Sequence, residues 1–155
     1  MRNETGMERE MQETITRRID FCDVDLTGVM WHGNYCRYYE DARCHLLKKL
    51  GFSYQEICDR NYQIPLVHLE IKYSHPCRFD QEITITAELV KADHFLVIKY
   101  VIKDKETGNI ISEAETKHAF YDSQKKRALI NVPEFIAEKI KDPRRKQRGI
   151  QNIQS

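Results

Sequence analysis

The chain has 155 residues, 41% apolar and 32% charged, with 25 Lys plus Arg against 24 Asp plus Glu. That balance fits one globular domain with a real core, and a net charge of +1 gives no whole-molecule pull towards nucleic acid. No run approaches the ~20 apolar residues of a membrane span, and residues 1–20 carry no leader-like apolar stretch, so the expected location is cytoplasmic.

Residues 1–12 are polar and are expected to form a flexible N-terminus. Ile15, Arg17, Ile19 and Phe21 then alternate with Thr14, Thr16, Arg18 and Asp20, a period of two that predicts a first strand. A loop from Cys22 to Gly33 leads to a helix that opens near Asn34, a residue type favoured as N-cap. Tyr35, Tyr38, Ala42, Leu46 and Leu50 recur at helical spacing, and Gly51 supplies a stop. A short helix is expected over Ser53–Arg60.

Four strand-like runs follow, at Leu66–Tyr73, Glu82–Val90, Phe95–Ile102 and Ile110–Tyr121. In the first, Val67, Leu69, Ile71 and Tyr73 share a face, with His68, Glu70 and Lys72 opposite. Phe95–Ile102 is apolar on both faces except for Lys99 and Tyr100, which predicts a central, doubly covered strand. Turns are expected at Lys91–Asp93 and Glu106–Asn109. Such short connections require antiparallel pairing. The class is therefore α+β: a curved five-stranded antiparallel sheet wrapped around one long central helix, its other face left for a partner subunit. A small helix is predicted over Pro133–Lys141. The domain spans residues 13–142, and residues 143–155 form a basic tail expected to be disordered.

Chemistry concentrates in the loop between first strand and helix, which holds Asp23, Asp25 and His32. Backbone N–H groups at a helix start are free to bind a developing oxyanion, and Gly33 leaves that backbone open to a ligand. Asp25 can activate water or attack a carbonyl directly, and His32 can donate a hydrogen bond or orient the water. The same Asp-x-Asp-x-Thr-Gly run also reads as an ordinary turn whose side chains cap backbone amides, Asp23 above all. It matches the opening of an EF-hand too, but the twelfth position is Asn34 where a bidentate Glu is required. His32 has no i, i+4 His partner, and Cys22, Cys36, Cys44, Cys58 and Cys77 form no C-x-x-C pair, so no metal is expected and the thiols read as reduced and scattered.

These residues resemble a known family. Arg18-Ile19-Asp20-Phe21-Cys22-Asp23-Val24-Asp25-Leu26-Thr27-Gly28, Trp31-His32-Gly33-Asn34-Tyr35 and Glu40-Asp41-Ala42-Arg43 stand in the order found in the hot-dog-fold acyl-CoA thioesterases of the 4-hydroxybenzoyl-CoA thioesterase and YbgC-like group. Ile64-Pro65-Leu66-Val67, Lys72-Tyr73-Ser74-His75-Pro76 and Arg78-Phe79-Asp80 continue the match, which covers roughly residues 13–135. The resemblance implies hydrolysis of an acyl-CoA or acyl-carrier-protein thioester without cofactor. It puts the catalytic carboxylate on Asp25, a catalytic His on His32, and the polarising amide on His32 or Gly33. It implies a homodimer, usually paired into a homotetramer, with the acyl site at the subunit interface. Asn34, Tyr35, Trp31 and His68 are candidate substrate contacts, and Lys91 is the one firm cation in the turn that binds coenzyme A phosphates in one branch. That turn reads Lys91-Ala92-Asp93-His94, and Asp93 repels phosphate, so the carrier and the aromatic preference of that branch are not carried over. Two other readings fit the same residues. One is a non-catalytic acyl-thioester binder on the same fold. The other is a hot-dog dehydratase, disfavoured because His45 stands alone in the helix and near its wrong end.

Overall fold

The structure is a computed structural model and describes residues 11–141. Most of the expected N-terminal segment and the whole of the basic tail lie outside those residues. The elements are β1 (Gln12–Arg18), α1 (Tyr35–Leu50), α2 (Tyr54–Asp59), β2 (Tyr62–Gln63), β3 (Leu66–Tyr73), β4 (Glu82–Ala92), β5 (Leu96–Asp104), β6 (Ile110–His118), β7 (Phe120–Asp122), β8 (Arg127–Leu129) and α3 (Glu134–Lys141).

Five strands form one antiparallel sheet in the order β1-β4-β5-β6-β3. The alternation seen in the sequence explains its inner face. Ile15 and Ile19, then Ile83, Ile85, Ala87 and Leu89, then Leu96, Ile98, Tyr100 and Ile102 are all buried. They meet a stripe on α1 formed by Tyr35, Tyr38, Tyr39, Ala42, Leu46, Leu47 and Leu50. The helix ends at Gly51, whose φ of 89° is left-handed and whose N–H bonds back to the Leu47 and Lys48 carbonyls. Ser53 caps α2 by accepting the Glu56 N–H.

A buried polar chain crosses this core. Arg43 Nε donates to the Tyr54 hydroxyl at 2.6 Å, and a second guanidinium nitrogen donates to the Tyr100 hydroxyl at 3.2 Å. Tyr100 shares a hydrogen with Thr116 at 2.7 Å, and His118 reaches both Thr116 and the Ile64 carbonyl. Each buried polar atom named here has a partner, which is what makes its burial tolerable.

Several expectations need correction. Phe21 does not continue β1: the strand ends at Arg18, and Phe21 opens a short 3-10 turn, 73% exposed against Phe79. β5 is central, but Tyr100 is on the buried face and Lys99 on the outer one, because the strand alternates rather than being apolar throughout. The outer face is polar, carrying Thr86, Glu88, Lys99, Glu113 and Glu115. The last expected strand breaks at Ala119, whose N–H turns to the Pro65 carbonyl. β7 then joins β2 and β8 in a second, three-stranded sheet. Runs of two and three residues are too short to show a period, so that sheet left no pattern to read.

β3 is an edge strand, and its apolar residues Leu66, Val67, Leu69 and Tyr73 are between 41% and 55% exposed.

Candidate active site

The loop after β1 folds as a miniature hairpin. Val24 bridges Met30, the Asp25 N–H donates to the Val29 carbonyl at 2.9 Å, and Leu26-Thr27-Gly28 close the tip. Gly28 takes φ 81°, the left-handed conformation that a three-residue hairpin loop needs at that position. The second limb docks on the segment after β3, through a Val29–Arg78 bridge and a Met30 N–H bond to the Cys77 carbonyl. That docking carries residues 73–76 to the start of α1, some forty positions away in sequence.

The two aspartates have different surroundings. Asp23 is buried, and its carboxylate accepts from Arg37 and from the Tyr38 hydroxyl, both on α1. Its carbonyl accepts from the Trp31 N–H at 3.1 Å and from Asn34 Nδ2 at 2.9 Å. Asp23 is thus a clamp between loop and helix. Asp25 is exposed at the hairpin, with Thr27 donating both its hydroxyl and its N–H to one carboxylate oxygen. Those bonds hold the Asp25 carboxyl below the usual carboxylate range, so it is ionised at neutral pH.

Asn34 does not cap the helix. Its side chain is committed to the Asp23 carbonyl, and a 3-10 turn, His32–Asn34, leads into α1 instead. In that turn the Asn34 N–H donates to the Trp31 carbonyl. Among the described residues, neither the His32 nor the Gly33 amide has an acceptor. Trp31 lies over Gly33: a methyl group there would meet Trp31 Cη2 at 2.5 Å and Cε3 at 2.8 Å. The Trp31 and His32 rings sit 4.7 Å apart.

A cavity of about 300 Å³ opens beside this turn, lined by Met30, His32, Tyr35, Tyr73, Ser74, His75 and Pro76. Tyr35 and Tyr73 meet edge to face at 4.9 Å. Burial holds the Tyr35 phenol well above its ordinary value and pushes the thiol of nearby Cys77 up to about 11, so both groups are neutral at pH 7 and Cys77 is no thiolate nucleophile. A larger open hollow of about 420 Å³ lies on the outer sheet face, lined among others by Glu70, Lys72, Glu88, Lys99, Glu113 and Glu115. Sheet amides lie in the plane of the sheet and not out of its face, so that hollow has no helix-start donors to offer an oxyanion.

Of the residues singled out from sequence, His32 and Tyr35 line the smaller cavity, while Trp31, Gly33 and Asn34 build the turn at its edge. Asp25 sits opposite Val29, three residues short of His32. The carboxylate and the free amides thus belong to one short loop, the amides beginning three residues beyond Val29, the hairpin partner of Asp25. The structure does not bring His68 or Lys91 to this place. His68 pairs in register with Lys117 on the outer face of β3, opposite to Tyr73. Lys91 is the next-to-last residue of β4, nine residues from Glu82, the end nearest the loop, or roughly 30 Å along the strand, and it pairs with Asp93 at 3.2 Å. Tyr73 and His75, which the sequence did not single out, also line the cavity; both stand inside the run Lys72-Tyr73-Ser74-His75-Pro76.

A curved antiparallel sheet wrapped round one helix, fed by a carboxylate-bearing hairpin, defines a hot-dog domain. The chain belongs to the thioesterase-like superfamily, whose profile matches residues 19–140. It is 24% identical to the acyl-CoA thioester hydrolase YbgC of Escherichia coli over 123 residues, 78% of this chain and 90% of that one. Among solved structures it is similar to a 1,4-dihydroxy-2-naphthoyl-CoA thioesterase from Synechocystis, with TM-score 0.76, 21% identity, and 85% and 97% of the two chains covered. It is also similar to a Staphylococcus aureus protein in complex with CoA, with TM-score 0.75, 18% identity, and 83% and 81% covered. No α-helix among the described residues is long and apolar enough to cross a membrane.

Proposed function

We propose that this chain hydrolyses an acyl-CoA thioester to free acid and thiol, with Asp25 as the catalytic carboxylate. The observation that carries the reading is the pair of unpartnered amides at His32 and Gly33, in the same short loop as the ionised carboxylate of Asp25. The thioester oxygen sits on the amides, and negative charge grows there as the carbonyl is attacked. Asp25 either takes a proton from the attacking water, with the C–S bond then breaking and the thiolate picking up a proton, or attacks the carbonyl itself, expelling the thiolate to give a mixed anhydride that water opens to free acid and the restored carboxylate. His32 borders the cavity where the acyl group is held. Superfamily membership and the CoA-bound structural neighbour support coenzyme A as carrier; acyl carrier protein is the alternative.

The working unit is a homodimer. Asp25 and Trp31 stand open in the single chain, and β3 presents an unpaired edge with exposed apolar side chains beside the same cavity. The resemblance extends this to a pair of dimers, and sedimentation of the pure protein tests both.

The decisive assay is thiol release by wild type and Asp25→Asn across acyl-CoA substrates of varied length, one of them aromatic. The expected result is wild-type turnover that falls ~10²-fold or more in the variant. Equal rates remove Asp25 from the mechanism. Tight binding without turnover by either protein favours the non-catalytic binder. Oxygen-18 from solvent appearing in the Asp25 carboxylate after a single turnover identifies the anhydride route.

A further inference from the structure

The His32 carbonyl and the Gly33 N–H are the two ends of one peptide group. The Tyr73 hydroxyl donates a hydrogen bond to that carbonyl at 2.8 Å. We infer that Tyr73 is a positioning residue for the thioesterase reaction, acting through the His32–Gly33 peptide on the Gly33 amide that receives the oxyanion. The inference rests on the hydrolase reading and deepens it, since nothing in that reading needs Tyr73.

Two physical effects follow from the one hydrogen bond. First, it fixes the rotation of the peptide plane. The turn is anchored on either side, by Trp31 and Asn34 at the Asp23 carbonyl, but the peptide between them has no Cβ on its Gly33 side to restrain its rotation. The bond ties the turn to the end of β3, a strand held by its ladder to β6. Second, it polarises the amide. Electron density drawn towards the carbonyl oxygen leaves the N–H of the same resonant unit a stronger donor, as in any chain of hydrogen bonds. Carbonyl and N–H point in opposite directions across a trans peptide. With the carbonyl occupied by Tyr73, the N–H faces away from it, out of the N-terminal end of the helix.

The Tyr73 ring is itself placed. It stands edge-on to Tyr35 at 4.9 Å and 88°, and Tyr35 is buried on α1. The phenol is held above its ordinary value chiefly by desolvation, so at neutral pH it is a donor and not a phenolate. Tyr73 therefore joins the sheet edge, the cavity wall and the oxyanion peptide in one side chain.

Tyr73→Phe keeps the ring and removes only the hydroxyl. The expected result is a roughly ten-fold fall in kcat, equivalent to about 1.4 kcal/mol of transition-state stabilisation, with KM within about two-fold, because the oxyanion forms after binding. A second readout needs no substrate. Nitrogen-15 labelling of the six glycines lets the Gly33 amide be followed by NMR, and its nitrogen signal should move upfield in Tyr73→Phe as the carbonyl loses its donor. Wild-type kcat in Tyr73→Phe, or an unmoved Gly33 signal, overturns the assignment while leaving the hydrolase reading intact. Absence of thioester hydrolysis by the wild type overturns that reading and this assignment with it.

Discussion

Replacing Gly33 by alanine tests the packing of Trp31 over the helix start, which fills the space the sequence alone suggested was left for a ligand. The added methyl would stand 2.5 Å from Trp31 Cη2, with Cζ3 nearer still, so the indole must leave its place over residue 33. Trp31 is 51% exposed, so about half of its surface is now covered. A tryptophan buries up to ~250 Å² when fully covered, which puts the present contact near ~120 Å², or ~3 kcal/mol at ~25 cal/mol per Å². A displaced ring keeps part of that contact against its neighbours; if half is lost, the variant is less stable by ~1.5 kcal/mol. For a chain of this length that lowers Tm by roughly 3–6 °C. Trp31 is the single tryptophan in the chain, so intrinsic fluorescence reports on this ring alone. Gly33→Ala should show emission shifted to the red and stronger quenching by acrylamide, alongside the lower Tm. Unchanged emission with Tm within about 1 °C of wild type would refute the packing of Trp31 on Gly33.

Three more predictions follow from the surroundings of individual groups. Asp23→Ala leaves the buried Tyr38 hydroxyl and Arg37 without their acceptor, and should cost ~2 kcal/mol, read from the urea midpoint; a smaller shift than ~0.5 kcal/mol would deny the clamp. If the proposed mechanism holds, Asp25 works as the carboxylate, so activity should fall on the acid side only as pH drops through its depressed pKa. Removing the hydroxyl in Thr27→Val should move that limb of the pH–rate profile up towards the ordinary carboxylate value, and a profile that stays put counts against the Thr27 bond. His118 is buried and lowered from 6.5 to about 4, chiefly by desolvation. The unfolded chain therefore binds more protons between those values, and stability should fall by about 1.4 kcal/mol per pH unit as pH drops from 6.5 to 4, beyond the loss shown by His118→Gln over the same range.

Local pattern alone determined much of this protein. Period-two alternation in Thr14–Arg18 and Glu82–Leu89, helical spacing from Tyr35 to Leu50, and a stop at Gly51 are properties of neighbouring residues, so they were legible before any contact was known. So was the loop that carries Asp25 and His32, because short connections concentrate polar side chains. What only the tertiary structure decided were matters of long-range contact. Strand order made β3 an edge, and nothing within Leu66–Tyr73 itself announces that. Alternation put Tyr73 and His68 on opposite faces, but only packing against α1 chose Tyr73 for the cavity side. Asp23 and Asp25 are equivalent in sequence, two residues apart in one turn-like run. Arg37 and Tyr38 on the helix claim the first, and the second stays open to solvent. Asn34 has the chemistry of a helix cap, yet its side chain donates to the Asp23 carbonyl, eleven residues back along the chain. Each of these choices follows from which groups the closed fold brings within hydrogen-bond reach, a relation that neighbouring residues do not encode.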